Sequence, residues 1–347
     1  MSTPLDHSSR YSRQERFAPI GADGQRRLAE STVLVVGCGA LGSVSADLLV
    51  RAGVGRVRIV DRDFLELSNL QRQVLFDEDD VAAGLPKSVT AANKLRRINS
   101  QVTIEPVVAD VTNENLAELA AGVDVIVDGT DNFETRLLLN DFSVSEGRPW
   151  VYGGCLAAEG QVLTVVPGET ACLTCLVPEP PAPGGAATCD SAGVLGPAVN
   201  LVASVQVAEV LKLLLGQLDT ISRRLLVVDL WSNRVRQLDL SALHAPGECP
   251  TCDARQFPWL EGRHGSETAV LCGRNAVQVR PAVAKKVALD TLASRLASEG
   301  EVTSNPFLVR AKIGKHTLTV FQDGRAIVSG TDDPAEARSL VARHLGA

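Results

Sequence analysis

The run 68-SNLQRQ-73 sets side-chain amides and a guanidinium shortly after Asp61, the acid that closes 57-VRIVD-61. Upstream, 33-VLVVGCGALG-42 carries Gly37, Gly39, Ala40 and Gly42 between a strand-like and a helix-like stretch. Glycines there let backbone N–H groups approach a diphosphate at a helix N-terminus, and an Asp ending the next strand accepts from a ribose hydroxyl. Alone, such a turn fits NAD. The polar run decides otherwise. Ser68, Asn69, Gln71 and Arg72 follow the ribose carboxylate closely enough to reach past it, and Lys87 opens the next helix. Asp131, with Asn132, stands in 128-DGTDN-132 after a further strand-like stretch. Arg and Lys converging on one end of a nucleotide neutralise a triphosphate. A carboxylate beside them suits Mg²⁺, which takes one or two protein oxygens. The plainer alternative is a solvated charged turn with Asp131 as a helix cap. We read the set as an ATP site with Mg²⁺ at Asp131.

A second chemistry is written in cysteine. Cys172/Cys175 and Cys249/Cys252 form two CxxC pairs far apart in the chain. Four thiolates in two such hairpins make a closed, structural Zn²⁺ site, with no ligand position left open. Disulfide or redox use is the alternative, disfavoured in a reducing cytosol. Cys38 in the glycine turn and Cys155 at a strand end read as small packed residues. Cys189 differs, because it ends the Pro/Gly-rich stretch 177-VPEPPAPGGAATCD-190, expected to be a mobile loop ahead of an apolar helix. A thiol on a mobile loop near a helix N-terminus gains thiolate character and can swing toward a bound substrate.

Other counts exclude whole classes of function. All five histidines lie at 7, 244, 264, 316 and 344, so residues 8–243 have none. An imidazole acid or base has almost nowhere to sit, which leaves carboxylates, Lys, Arg, Cys or a metal ion. The net charge of −7 argues against a nucleic-acid partner. MSTPLDHSSR lacks the apolar segment of a signal peptide, and Asn200, Gln206, Glu209 and Lys212 interrupt the apolar stretch 192–216. That stretch reads as a buried or interface helix and not as a membrane span. A cytoplasmic enzyme is expected.

Strand-like and helix-like segments must alternate to position these groups. Strands are expected at 33–37, 56–61, 102–107 and 123–128, with helices at 42–52, 87–99, near 113–121 and over about 133–146. The segments 150–154 and 161–167 follow one another as strands with no helix between, then a helix near 197–215 and strands at 224–230 and 234–240. This is an α/β fold: a doubly wound, mostly parallel Rossmann-like sheet extended by antiparallel strands. Residues 263–347 carry 12 Lys/Arg against 8 Asp/Glu in a chain that is acidic elsewhere. That shift marks a boundary. We expect an N-terminal arm over 1–30, an ATP-binding domain over 31–253, a linker over 254–265, and a small α+β C-terminal domain over 266–347. In the last, strands are expected at 276–280 and near 307–313, 316–321 and 325–328, with helices at 286–299 and 333–345.

Taken in order, RYSRQ, GCGALG, IVDRD, SNLQRQ, GLPK, GTDN, TCDSAGV and both CxxC pairs resemble the ThiF/MoeB/HesA branch of the ubiquitin-activating enzyme superfamily, over residues 10–253. The resemblance implies ATP-dependent adenylation of the C-terminal glycine carboxylate of a small ubiquitin-like sulfur carrier protein, with release of pyrophosphate. It implies Asp61 on the ribose, Asn69, Arg72 and Lys87 on the phosphates, and Asp131 on Mg²⁺ or the α-phosphate. It further implies a homodimer in which Arg13 reaches the γ-phosphate of the neighbouring subunit, and a role for Cys189 in capturing the activated carrier. The carrier is expected to be the thiazole (thiamine) one, ThiS-like, with the MoaD-like small subunit of molybdopterin synthase as alternative. Residues 263–347 do not read as a persulfide-forming domain, so a separate sulfur donor is expected. An NAD-dependent oxidoreductase, the distant alternative, leaves Arg72, Lys87 and the cysteine pairs unexplained.

Overall fold

The computed structural model describes residues 9–179, 192–240, 247–264, 268–271, 275–279 and 286–345. The chain divides into two compact units, one up to Arg263 and one from His264 on.

The first unit is built on an eight-stranded sheet in the order β3-β2-β1-β4-β5-β6-β7-β8. Its strands are β1 (Thr32–Val36), β2 (Arg56–Val60), β3 (Thr103–Val107), β4 (Val125–Asp128), β5 (Trp150–Leu156), β6 (Glu159–Val165), β7 (Arg224–Asp229) and β8 (Arg234–Asp239). Strands β1 to β5 pair in parallel, and β6, β7 and β8 continue as an antiparallel extension. The parallel centre reads as near-continuous aliphatic runs because helices cover both of its faces. Along β1 the faces alternate. Val33 and Val35 enter one core with the helices Ala40–Ala52, Lys87–Ile98 and Gly196–Leu214, while Leu34 and Val36 enter the other with the helix Phe133–Glu146.

The helix Gly196–Leu214 is, among the described residues, the one long and apolar enough to cross a membrane. Here it lies on the sheet, with Val199, Val202, Val207 and Val210 in the core. Its buried Glu209 accepts from Thr164 Oγ1 at 3.1 Å and from Ser222 N–H at 2.8 Å. The stretch 254–265, expected as a linker, packs Phe257, Trp259 and Leu260 against the first unit's core. There the buried Asp141 accepts from Trp259 N–H at 2.9 Å.

The second unit is a six-stranded antiparallel sheet in the order β11-β12-β13-β14-β10-β9, with β9 at Thr268–Leu271, β10 at Ala276–Val279, β11 at Glu301–Asn305, β12 at Leu308–Ile313, β13 at His316–Phe321 and β14 at Ala326–Ser329. The helices Leu289–Leu296 and Pro334–Leu345 pack on it through Leu292, Leu296, Ala337 and Val341. Two differences from expectation have local causes. The helix expected over 286–299 is shorter because Val287 N–H is drawn to Gln322 O, and Gly300 lies hard against the Lys312 carbonyl. Strand β11 went unread because its residues are polar, with Val302 alone of the five contributing to the core.

Candidate nucleotide site and four-cysteine cluster

The strand order turns around between β1 and β4, so the crevice beyond their C-terminal ends is where an open α/β sheet receives a ligand. Backbone crowding at that crevice dictates glycine. Gly37, at φ +85°, ends β1, and a Cβ on it would lie 2.7 Å from Gly129 O at the end of β4. A Cβ on Gly129 would meet Gly37 O at 2.4 Å, and one on Gly42 would meet the same oxygen at 1.8 Å. Gly39 caps the helix Ala40–Ala52. The sequence marked the turn but missed Gly129, whose role depends on a strand almost a hundred residues away.

Asp61 is buried beside this turn, and its carboxylate takes Cys38 N–H and Asp63 N–H, each at 2.6 Å. Burial pushes its carboxyl up, and Lys87 opposes that shift. Lys87 is 3% exposed, its N–H bonded to Asp63 O at 2.8 Å and its Nζ 3.5 Å from Asp63 Oδ2. Pro86 precedes it at the start of the helix Lys87–Ile98. Arg62 reaches both oxygens of Asp110 at 3.1 Å. Asp63, Arg62 and Asp110 were missed by the sequence reading. The repeated acid of 61-DRD-63 was the available signal.

The polar run opens on a short 3-10 turn, Leu67–Asn69. Asn69 is buried, and its Oδ1 accepts Glu66 N–H at 3.2 Å. Ser68 Oγ lies 3.4 Å from Glu66 Oε2, and Arg72 Nη1 donates to Ser68 O at 2.8 Å. Gln71 is exposed, and its carbonyl lies against Gly196, where a Cβ would come within 2.9 Å.

Asp131 is exposed, and it is Asn132 that caps the helix Phe133–Glu146, taking Thr135 N–H on Oδ1 at 2.8 Å. The cap read for Asp131 in the plainer alternative therefore belongs to its neighbour. A buried pair steadies this loop. Asp128 Oδ2 meets Arg136 Nε at 3.0 Å, Asp128 Oδ1 takes Thr130 N–H at 2.8 Å, and Arg136 Nη2 donates to Thr130 O at 2.8 Å and Gly153 O at 2.9 Å.

Arg13 stands apart from these groups. It sits in the helical turn Ser12–Glu15, where Gln14 donates to Ala52 O at 2.8 Å, while Asn99 Nδ2 donates to Tyr11 Oη at 2.8 Å. Those anchors are the far ends of the helices whose first residues face the crevice, and a 13-residue helix spans ~20 Å. Cys189 lies outside the described residues.

The four CxxC sulfurs converge to within 4.8 Å of one another. Neighbouring pairs are 3.7 Å (Cys172–Cys175), 3.7 Å (Cys172–Cys249) and 3.5 Å (Cys175–Cys252) apart. A tetrahedron with Zn–S bonds of about 2.3 Å has edges of roughly 3.8 Å, whereas a disulfide needs about 2.05 Å. The donor set fits Zn²⁺. Asn140 supports it, donating to Cys172 Sγ at 3.6 Å and Thr174 Oγ1 at 2.9 Å while accepting Leu173 N–H at 2.8 Å. Hydrogen bonding from Cys175 draws the Cys172 thiol down to about 5, and burial pushes Cys252 up to about 12.

Residues 11–251 match the ThiF family. The chain belongs to that family. It is 46% identical to the sulfur carrier protein ThiS adenylyltransferase of Bacillus subtilis, over 98% of this chain and the whole of that one. It is 42% identical to the SAMP-activating enzyme E1 of Haloferax volcanii, over 72% of this chain and 90% of the relative. With adenylyltransferase and sulfurtransferase MOCS3 of Anopheles gambiae it shares 39% identity, over 71% of this chain and 54% of the relative. Among solved structures, E. coli MccB with ATP shares the fold at a TM-score of 0.61 and 22% identity, over 71% of this chain and 75% of that one.

Proposed function

We propose that this ThiF-family chain is an ATP-dependent adenylyltransferase acting on the C-terminal glycine carboxylate of a ThiS-like sulfur carrier protein, for thiazole synthesis in the cytoplasm. The observation that carries this reading is the end-to-end match to a ThiS adenylyltransferase, with the small second unit included. The MOCS3 relatives match 70–77% of this chain against 98% for the ThiS adenylyltransferase, which favours the ThiS-like over the MoaD-like carrier.

The reaction forms a bond between a carboxylate oxygen and the α-phosphorus of ATP, and breaks the bond to pyrophosphate. The nucleophile is already ionised at neutral pH, so no general base is needed, in keeping with a main domain lacking histidine from 8 to 243. In this reading Asp61 accepts from the ribose hydroxyls. Lys87, Asn69, Ser68, Gln71 and Arg72 bind and align the phosphates, and Arg72 must exchange its bond to Ser68 O for a phosphate oxygen. Asp131 would hold Mg²⁺, its carboxylate exposed and not used as the cap, and the ion would neutralise charge on the departing pyrophosphate. Asn132 keeps Asp131 at the head of its helix. Arg13, ~20 Å from its own crevice along the helix Ala40–Ala52, would serve the site of a partner subunit in a homodimer. Cys172, Cys175, Cys249 and Cys252 would hold Zn²⁺ and fasten the two hairpins together. Cys189 is proposed to capture the activated carrier as a thioester, its thiolate displacing AMP from the acyl adenylate, with sulfur arriving from a separate donor.

Pyrophosphate exchange into ATP tests the reading. It should require a carrier with an intact C-terminal glycine and proceed faster with the ThiS-like than with the MoaD-like carrier. Exchange that is indifferent to the carrier, or to removal of its terminal glycine, contradicts it.

A further inference from the structure

One member of the polar run is left without a role above, and its surroundings assign one. Gln73 is 3% exposed, and its Oε1 is buried with no hydrogen-bond partner. An ionised phosphate has no hydrogen to give that oxygen, so the amide's other end, the donor Nε2, is the atom a nucleotide would engage. The segment around it is held in place, with Gln73 N–H bonded to Asn69 O at 3.0 Å and Phe76 N–H to Gln73 O at 3.1 Å. The other end of the amide faces the glycine turn. A Cβ placed on Gly39 would have Gln73 Nε2 at 3.9 Å as its one near neighbour among the described residues, chain neighbours aside. The position a side chain on Gly39 would take is thus open except for a neutral donor beside it.

We infer that Gln73 Nε2 donates to the phosphate nearest the ribose of the bound nucleotide, over Gly39. The inference rests on the nucleotide site proposed above. Asp61, the ribose acceptor, takes the N–H of Cys38, the residue immediately before Gly39, so the first phosphate beyond the ribose reaches the turn first. A neutral amide suits this place. Asp61 and Asp63 already bring two carboxylates, and a third would repel the phosphate. Gln73 also supplies a donor beside the reacting phosphorus without competing with Lys87 for the carboxylates.

Calorimetric titration with AMP, ATP and adenosine tests the inference without any carrier. Gln73→Glu should weaken AMP and ATP binding about 10-fold or more while leaving adenosine binding unchanged. Gln73→Met keeps the length of the side chain and loses the donor. It should weaken AMP binding several-fold with adenosine again unaffected, and it carries the test should Gln73→Glu fail to fold. A purely structural Gln73 would lower thermal stability and leave the difference between AMP and adenosine as in wild type. If wild type binds AMP and both folded variants match it, the inference fails and the nucleotide site stands. A wild-type chain that binds neither ATP nor AMP overturns both.

Discussion

The nucleotide crevice and the four-cysteine cluster belong to one compact unit and are built on opposite principles. Around the cysteines, polar capacity is spent internally: Asn140 uses both ends of its amide, Thr174 bonds to Asn140 and Thr251, and Cys249 N–H goes to Asp253. In the crevice, part of that capacity is held back. Asp131 is exposed while Asn132 takes the capping role, Gln73 turns its Nε2 toward Gly39, and glycines hold side chains away from the turn. A cluster satisfied from within stabilises the fold, whereas one left unsatisfied is completed by a ligand.

Substitutions on the two sides should therefore fail differently. The largest effect is expected in the crevice. Asp131→Ala should lower carrier-dependent pyrophosphate exchange about 10³-fold, while ATP binding by calorimetry stays measurable through Asp61 and Lys87. Exchange within a few-fold of wild type would remove Asp131 from the chemistry. Next comes the cluster. If the cluster holds zinc as proposed, Cys172→Ser should lose it by atomic absorption and cost about 3 kcal/mol of stability in chemical denaturation, because the binding energy of a structural metal is folding free energy. An unchanged denaturation midpoint would show that the four thiols do not staple the fold.

Asp141, beside the cluster, sharpens the contrast at smaller magnitude. Burial pushes its carboxyl up to about 6 from an ordinary 3.8. The folded chain then binds the proton more tightly than the unfolded one, so this group's contribution to stability falls as pH rises from about 4 to 6 and stays low above that. Relative to Asp141→Asn, wild type should lose on the order of 2 kcal/mol across this window. Parallel stability curves for the two proteins would contradict it. The smallest difference from wild type, about two-fold, is expected in mixed dimers that test Arg13. Chains with Arg13→Ala and chains with Lys87→Ala, each nearly inactive, should recover up to about half of wild-type activity per mixed dimer, since one composite site in two is intact. No recovery in verified heterodimers would exclude action across subunits.

What the sequence disclosed follows the range of each interaction. The glycine turn, Asp61 at the end of β2 and each CxxC hairpin are local patterns, and the sheet's switch from parallel to antiparallel shows in strands β5 and β6, which follow without a helix. Partnerships across the sheet do not show. Gly129 is constrained by Gly37 on a neighbouring strand, and Arg62 by Asp110 on the loop after β3. Gln73 read as one polar residue among several until its burial was known. Strand β11 hid behind polar residues because an edge strand with little to bury gives no alternating signal.

The central claim is that this chain transfers AMP to a carrier's terminal carboxylate, and intact-mass analysis of the carrier measures that directly. After incubation with the enzyme, ATP, Mg²⁺ and pyrophosphatase, the ThiS-like carrier should gain one AMP at its C-terminus, and Asp131→Ala enzyme should give none. A carrier of unchanged mass, with wild-type enzyme that demonstrably binds ATP, would contradict the account.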